Sequence, residues 1–216
     1  MWRFAPVLLP IFSFLLSIVA HAAAQPNIVF ILADDLGRGD CCLMGGKEIR
    51  TPHIDKLASA GTRLDAFYVQ PVCSPTRAVF MTGRDPMRHG LQVGVVRPWA
   101  DYGLPLKEQT LAEALQEAGD ATAIIGKWHL GHFALTYLPT RGGFGHQYGH
   151  YNGQVDYFDH TRDGGFDWHR DEQASRDEGY STHLIANDSL KIAYDLLLYR
   201  AFASSEAQGR KQEEIV

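Results

Sequence analysis

The most constraining feature of the chain is an apolar run that ends directly in two carboxylates. Residues 27–33 read Asn-Ile-Val-Phe-Ile-Leu-Ala, and Asp34 and Asp35 follow at once. A continuous apolar run of this length, rich in β-branched side chains, is typical of a strand buried in a parallel sheet. Open α/β sheets bind their ligands at the carboxyl ends of such strands. The run therefore predicts a buried strand with a ligand site at its end.

Strand and helix patterns alternate along the rest of the chain. Helices are predicted over 51–60, 75–82, 108–118 and 182–200, and further strands over 64–69 and 121–125. Residues 138–179 are irregular and rich in glycine, aromatic residues and histidine, which predicts a long structured loop. The alternation predicts an α/β layered fold with a mostly parallel central sheet.

The two ends of the chain have different patterns. Residues 1–24 combine a basic residue, an apolar run and three consecutive alanines, the arrangement of a cleavable secretory signal peptide. The run is shorter than the ~20 residues that a membrane span needs, so we expect export without a stable span, a membrane anchor being the alternative. Residues 201–216 are polar and predict a frayed tail. The folded portion is therefore expected over 25–200.

Charge and composition exclude two classes of protein. The formal net charge is −5, whereas nucleic-acid-binding modules are normally basic, so no nucleic-acid partner is expected. With 45% hydrophobic residues the chain is too apolar for an intrinsically disordered protein. Three cysteines, an odd number, leave at least one thiol outside an intramolecular disulfide.

The first group with candidate chemistry is the carboxylate pair. Asp34 and Asp35 supply the oxygens that hard divalent cations such as Ca²⁺ or Mg²⁺ prefer. Neighbouring strand residues point to opposite faces, so both carboxylates reach one ion only if the chain turns there. Gly37 and Gly39 make such a turn easy. A solvated pair of loop carboxylates is the alternative.

The second group lies at the start of the helix predicted at 75–82. Cys73 precedes the helix N-terminus, where free N–H groups and the helix dipole favour an anion. Arg77, one turn into the helix, adds a guanidinium fork suited to a tetrahedral oxyanion. A buried cysteine before a helix that begins at proline is the alternative.

The third group follows the strand predicted at 121–125. Lys127 and His129 therefore reach the same sheet edge as the carboxylate pair. Residues i and i+2 at a strand end point the same way, so a cation and an imidazole together can clamp and protonate a leaving oxygen. The alternative is a surface lysine and a packed histidine.

Together these segments resemble the type I sulfatases, the formylglycine-dependent members of the alkaline phosphatase superfamily, and within them the arylsulfatase B-like branch. The resemblance covers about residues 26–195, in the order of the family's motifs. The matching motifs are Asp34-Asp35-Leu36-Gly37, Thr51-Pro52-His53-Ile54-Asp55, Cys73-Ser74-Pro75-Thr76-Arg77, Gly126-Lys127-Trp128-His129, Pro139-Thr140-Arg141 and the segment 151–160. The resemblance implies an alkaline phosphatase-like fold, of which this chain holds the N-terminal portion.

The resemblance also implies a sulfuric ester hydrolase. Cys73 would be converted to Cα-formylglycine by the formylglycine-generating enzyme, and its hydrated aldehyde would attack the sulfur of an aryl or sugar sulfate. One Ca²⁺ would be bound by Asp34, Asp35 and the modified Cys73.

The remaining site residues take their implied roles from the same motifs. Arg77 would hold the formylglycine hydrate, Lys127 would bind sulfate oxygens and His129 would assist proton transfer. The family completes its metal site with a later Asp-Asn pair, and uses a later His and a later Lys on the sulfate. The matching part of this chain contains none of these.

Two alternatives to an active sulfatase stay open. The first is a truncated, non-catalytic sulfatase-like fragment. The second is a related formylglycine phosphonate or phosphate monoesterase, because the nucleophile motif does not choose between sulfur and phosphorus. The signal peptide predicts the secretory pathway, with a lysosomal or extracellular destination, or the periplasm in a bacterium.

Overall fold

The computed structural model describes residues 26–195. The predicted signal peptide at 1–24 and the predicted tail at 201–216 lie outside the described residues, and both stay predictions. The described residues divide into two units, residues 26–32 and residues 33–195. Within residues 26–195 no helix combines the length and apolar character needed to cross a membrane.

The strand predicted at 27–33 is wrong. This segment has no regular secondary structure, and Ile28, Val29 and Ile31 are 69%, 73% and 80% exposed. A strand forms only where a neighbouring chain segment takes up its backbone donors and acceptors. The apolar pattern shows that these side chains favour burial in a strand, but it does not show whether a neighbouring strand is present to pair with it. The strand predicted at 64–69 is wrong for the same reason, since these residues form turns and irregular chain.

Five α-helices are present in residues 33–195, and four match predictions. They are α1 (Pro52–Ala60), α2 (Cys73–Thr82), α3 (Pro86–His89), α4 (Leu111–Glu117) and α5 (181–195). Helix α2 begins two residues earlier than predicted, so Cys73 is its first residue rather than its neighbour. The short α3 was not predicted; its N-terminus is capped by Asp85, whose carboxylate accepts from the Met87 N–H.

Helix α4 is capped as its sequence predicts. The Thr110 hydroxyl accepts from the Glu113 N–H at 3.0 Å, and the Glu113 carboxylate accepts from the Thr110 N–H at 2.7 Å. Two N–H groups that a helix start leaves free are satisfied in this way. The reciprocal pair fixes the end of α4 that packs beside the glycine-rich connection, where the Thr110 hydroxyl also donates to the Gly142 carbonyl.

The sheet is built from one parallel pair with two short additions. The strands are β1 (Ala123–Lys127), β2 (His146–His150), β3 (Thr161–Arg162), β4 (Gly165–Phe166), β5 (His169–Arg170) and β6 (Gln173–Ala174). The longest pairing, β1 with β2, is parallel, and β5 and β6 extend it antiparallel in the order β1-β2-β5-β6. Strands β3 and β4 form a separate hairpin. The mixture of helices with a sheet centred on a parallel pair confirms the predicted α/β class.

The parallel pairing continues past the end of β1 and positions the residues that follow it. The Trp128 N–H donates to the His150 carbonyl at 3.0 Å, and the His129 N–H donates to the Tyr151 carbonyl at 2.9 Å. Trp128 is buried in the main hydrophobic cluster together with Ala78 of α2. The end of β1 and the start of α2 are therefore held against one core, which brings their polar residues to one place.

Candidate active site

The centre of the site is a contact between the first residue of α2 and the residue after β1. Cys73 Sγ lies 3.1 Å from His129 Nδ1, and His129 Nε2 lies 2.8 Å from the Val96 carbonyl oxygen. Because a carbonyl only accepts, Nε2 carries the proton and donates to Val96. The Nδ1 lone pair therefore faces the Cys73 side chain, where it accepts a proton.

Burial determines the charge of this imidazole. His129 is 4% exposed, and burial lowers its pKa from 6.5 to about 4, with the positive charge of Lys127 acting in the same direction. The ring is therefore neutral at neutral pH, which is the form required of a proton acceptor.

Ser74 links the backbone of His129 to the backbone of Val96, the residue that accepts from the His129 ring. Its hydroxyl donates to the His129 carbonyl at 2.8 Å and accepts from the Val96 N–H at 3.0 Å, and the residue is fully buried. The His129 backbone is left-handed, with φ 63°, a conformation that costs energy for a residue with a Cβ atom. Sequence reasoning missed both supports; Ser74 lies inside the cysteine motif, whereas nothing in the sequence marks Val96.

The two predicted cations lie beside this pair. Arg77 donates from its guanidinium to the Lys127 backbone carbonyl. The Lys127 side chain is 8% exposed, and its Nζ donates to the two carboxylate oxygens of Asp34 at 2.8 and 3.2 Å. Burial lowers the pKa of Arg77, an effect that the charges of Asp34 and Cys73 oppose. Cys73 and four other predicted residues therefore lie close enough to affect one another's charges; the four are Asp34, Arg77, Lys127 and His129.

The remaining predicted residue, Asp35, lies in a turn, but the turn does not use the glycines that were expected to form it. The chain bends at Asp34 and Asp35, and the left-handed residue is Asp35 itself, with φ 56°. Aspartate tolerates this conformation better than most residues. Gly37 and Gly39, which the sequence suggested for the turn, lie beyond it, where Gly37 precedes a 3₁₀ turn at Arg38–Asp40.

Asp34 and Asp35 have the donor chemistry of hard-cation ligands. Carboxylate oxygens are the ligands that a hard cation such as Ca²⁺ prefers. Across residues 26–195, no group of three or more His, Cys, Asp or Glu side chains is arranged to hold a metal. Asp34 is ion-paired with Lys127 instead. The oxygen donors therefore suit a hard cation, and they account for only part of the set of ligands that such a cation takes.

Two residues of the segment predicted as loop also support the site. Gly153 packs against the His129 ring so closely that a Cβ at this position would lie 2.5 Å from Cε1. His150, the last residue of β2, is buried, stacks on Trp168 and has a pKa lowered to about 4 by burial. Nothing in the sequence indicates these positions beside His129 and Trp168, because they follow from the pairing of β1 with β2.

Comparisons with known proteins place this geometry in context. The family model described as Sulfatase matches residues 26–201. Arylsulfatase J of Mus musculus is 37% identical over 205 residues, which cover 87% of this chain and 34% of that protein. The chain thus spans about a third of the length of this curated relative.

Two solved structures are similar along most of the chain. The structure of Ps i-CgsB has a TM-score of 0.74 and 30% identity, and the match covers 80% of this chain and 42% of that one. A second protein, solved in complex with its substrate D-glucosamine-2-N,6-O-disulfate, has a TM-score of 0.63 and 28% identity, covering 79% of this chain and 31% of that one. Both matches confirm the predicted fold.

Proposed function

Because this chain belongs to the sulfatase family, we propose that it provides the nucleophile side of a sulfuric ester hydrolase site that acts on aryl or sugar sulfates. The family in general uses a formylglycine and a metal. The observation that carries the proposal is the 3.1 Å approach of His129 Nδ1 to Cys73 Sγ at the start of α2. A thiol in this position, beside a neutral imidazole and two cations, is the precursor of the nucleophile.

The chain's own residues supply the groups that such a reaction needs. When Cys73 has been converted to formylglycine, the hydrated aldehyde supplies the oxygen that attacks sulfur. His129 accepts a hydroxyl proton at residue 73 through Nδ1. Arg77, one turn into α2, binds the oxygens of residue 73, and Lys127 neutralises the sulfate oxygens. Both cations are largely buried, so solvent screens their charges only weakly.

Asp34, Asp35 and residue 73 are the proposed ligands of one Ca²⁺. When bound, the ion would lower the pKa of the oxygen nucleophile and offset the negative charge that develops on sulfate. Asp34 and Asp35 would supply carboxylate oxygens to the ion, and residue 73 would supply an oxygen once it is modified. Since these donors form part of an oxygen shell, we propose that binding to this chain alone is weak.

Two other functions compete with this proposal. The incomplete shell of metal ligands favours a non-catalytic role for this chain. A formylglycine phosphonate or phosphate monoesterase is the second alternative. Arg77 and Lys127 recognise the oxygens of a tetrahedral anion, and these oxygens are arranged alike around sulfur and phosphorus. Binding of sulfate and of phosphate to the chain, compared by calorimetry, separates the last candidate from a sulfatase.

The proposed partners and compartment follow from the signal peptide predicted at 1–24. The chain enters the secretory pathway, meets the formylglycine-generating enzyme there and acts in the lysosome or outside the cell, or in the periplasm of a bacterium. We propose that residues 25–200 form the N-terminal portion of the catalytic domain and that the substrate is a sulfate ester. No nucleic-acid partner and no stable membrane span are proposed.

Mass spectrometry of Cys73 tests the proposal. The chain is co-expressed with a formylglycine-generating enzyme and digested with trypsin, which releases residues 64–77 as one peptide. We expect the mass change for replacement of –CH₂–SH by –CHO at Cys73, while Cys41 and Cys42 keep their thiols as internal controls. An unmodified thiol at Cys73 would refute the assignment of the nucleophile.

A further inference from the structure

Three residues after His129, a second imidazole binds the same neighbouring loop. His132 Nε2 lies 3.1 Å from the Pro98 carbonyl oxygen, and His129 Nε2 lies 2.8 Å from the Val96 carbonyl oxygen. Because a carbonyl oxygen only accepts, each Nε2 carries a proton and donates it. Two histidines of one segment therefore hold two carbonyls of one loop, and these carbonyls are two residues apart.

Pro98 lies in a β-turn that does not itself use the Pro98 carbonyl. The Ala100 N–H donates to the Arg97 carbonyl at 2.9 Å and closes the turn. Proline at the second position of a turn has the φ that the turn requires. The closing bond of a β-turn uses the carbonyl of its first residue and leaves the carbonyl of its second residue for an outside donor. His132 is that donor.

The far end of the loop is bound to the same segment as its start. The Leu104 N–H donates to the Leu130 carbonyl at 2.7 Å. A Cβ atom at Gly103 would lie 2.3 Å from that carbonyl oxygen, so a side chain at this position would block the approach. Residues 96–104 are thus attached to residues 129–132 at three places, and the bond from His132 is the middle one.

The attachments on either side of the Val96 carbonyl restrict its direction. On one side, the Val96 N–H donates to the Ser74 hydroxyl at 3.0 Å. On the other side, His132 holds the Pro98 carbonyl. Peptide groups are planar and reorient only by rotation about φ and ψ. A chain held both before and after the Val96 carbonyl therefore leaves this carbonyl little freedom to turn away from the His129 ring.

The direction of the Val96 carbonyl decides which nitrogen of His129 carries the proton. The tautomer of a neutral imidazole is set by the hydrogen bonds that its nitrogens make. While Val96 accepts from Nε2, the lone pair of Nδ1 faces Cys73. If the carbonyl turned away, the proton would no longer be confined to Nε2. A ring protonated at Nδ1 instead is unable to accept a proton from residue 73.

We propose that His132 is a positioning residue, which keeps His129 in the Nε2–H tautomer by holding the turn at Pro98. The inference rests on the proposed function, because it concerns the proton acceptor of that site. It deepens that function by adding the residue that fixes the acceptor's protonated nitrogen. His132 acts through the backbone of the loop and not on residue 73 itself.

NMR spectroscopy of the full chain labelled with ¹⁵N-histidine tests this role. Long-range ¹H–¹⁵N correlations distinguish the two tautomers of His129, whose signals are assigned by their absence in His129→Gln. We expect only the Nε2–H tautomer in the wild type. In His132→Ala we expect a mixture, seen as two ring ¹⁵N signals that move toward each other. Exchange of the Ala100 amide proton should become about five- to tenfold faster.

Two amide variants separate the lost donor from the lost ring. The amide nitrogen of Gln reaches about as far as Nε2 of histidine, whereas the amide nitrogen of Asn corresponds to Nδ1. His132→Gln should therefore keep the wild-type pattern, and His132→Asn should resemble His132→Ala. His53→Ala removes an exposed imidazole from α1 and should change nothing. Circular dichroism confirms that each variant is folded, and the pair of amide variants decides the test if His132→Ala does not fold.

The outcomes separate this proposal from the proposed function. An unchanged His129 pattern in folded His132→Asn, the same change in His132→Gln as in His132→Asn, or the same change in His53→Ala would each overturn the positioning role. The tautomer is measured with an unmodified Cys73, so it does not depend on formylglycine. A tautomer change in His132→Asn without formylglycine formation at Cys73 supports the positioning role and refutes the nucleophile. Formylglycine at Cys73 with an unchanged His129 pattern does the reverse.

Discussion

Cys73 Sγ and His129 Nδ1 lie 3.1 Å apart, although 56 positions separate the two residues in the chain. Each is fixed by its own backbone: Cys73 begins α2, and His129 continues the pairing of β1 with β2. Ser74 joins the two backbones by accepting from Val96 and donating to His129. The contact at the centre of the site therefore depends on a side chain whose hydrogen bonds go to backbone groups and not to the thiol or the imidazole.

Ser74→Ala tests that dependence. The substitution leaves the His129 carbonyl and the Val96 N–H without their partner in a buried place, and each loss costs about 1–3 kcal/mol. We expect the free energy of unfolding to fall by roughly 2–4 kcal/mol in urea titrations. Ser59→Ala is the matched control, because the Ser59 hydroxyl makes one exposed bond to Lys56. A loss as small as that of the control would contradict the bridging role.

Gly153→Ala tests the packing against the imidazole. The new methyl group would lie 2.5 Å from His129 Cε1, so the ring must move away from Cys73 or the chain must shift. Overpacking of this kind costs about 1–3 kcal/mol. We also expect the ¹H–¹⁵N signals of the His129 ring to shift. Gly39→Ala adds the same methyl group where no atom lies within 4 Å, and it should change neither quantity.

The buried His150 predicts a dependence of stability on pH. Its pKa is lowered from 6.5 to about 4 in the folded chain. Between these values the unfolded state binds more protons than the folded state, so stability falls as the pH drops through this window. A pKa shift of this size corresponds to about 3 kcal/mol of such a change.

The variant His150→Phe tests how much of the pH dependence of stability comes from His150. The variant keeps a ring beside Trp168 and removes the titrating group, so Tm should change less between pH 7 and pH 4 than in the wild type. Leu57→Phe, which adds a ring at a position that is exposed and does not titrate, should leave the pH dependence as it is. Parallel curves for wild type and His150→Phe would show that His150 does not titrate in this way.

Calcium dependence is predicted from the partial ligand shell. We expect the chain, expressed alone with a formylglycine-generating enzyme, to show no Ca²⁺-dependent hydrolysis of 4-nitrophenyl sulfate above the rate of Cys73→Ala. The reason is that Asp34, Asp35 and residue 73 supply few of the six to eight oxygen ligands that Ca²⁺ takes. Turnover that requires Ca²⁺ and disappears in Cys73→Ala would contradict this prediction.

The sequence predicted which polar side chains lie close together better than it predicted the sheet. Local signals located Cys73, Arg77, Lys127 and His129, because a helix start and a strand end are marked by short-range patterns. The strand at 27–33 was wrong because strand formation requires a partner that no local pattern reveals. Val96 and Gly153 were missed for a related reason: their roles arise from contacts between distant segments, and neither has a side chain with chemistry of its own.

The left-handed backbone of His129 shows how strongly its buried ring is held. Glycine adopts φ 63° with less strain than histidine, a gain of about 1–2 kcal/mol. The same substitution would empty the space that the ring fills and leave the Val96 carbonyl without its donor, which costs more than this gain. Histidine at position 129 is therefore required by packing as well as by chemistry, and consensus or stability engineering should leave it untouched.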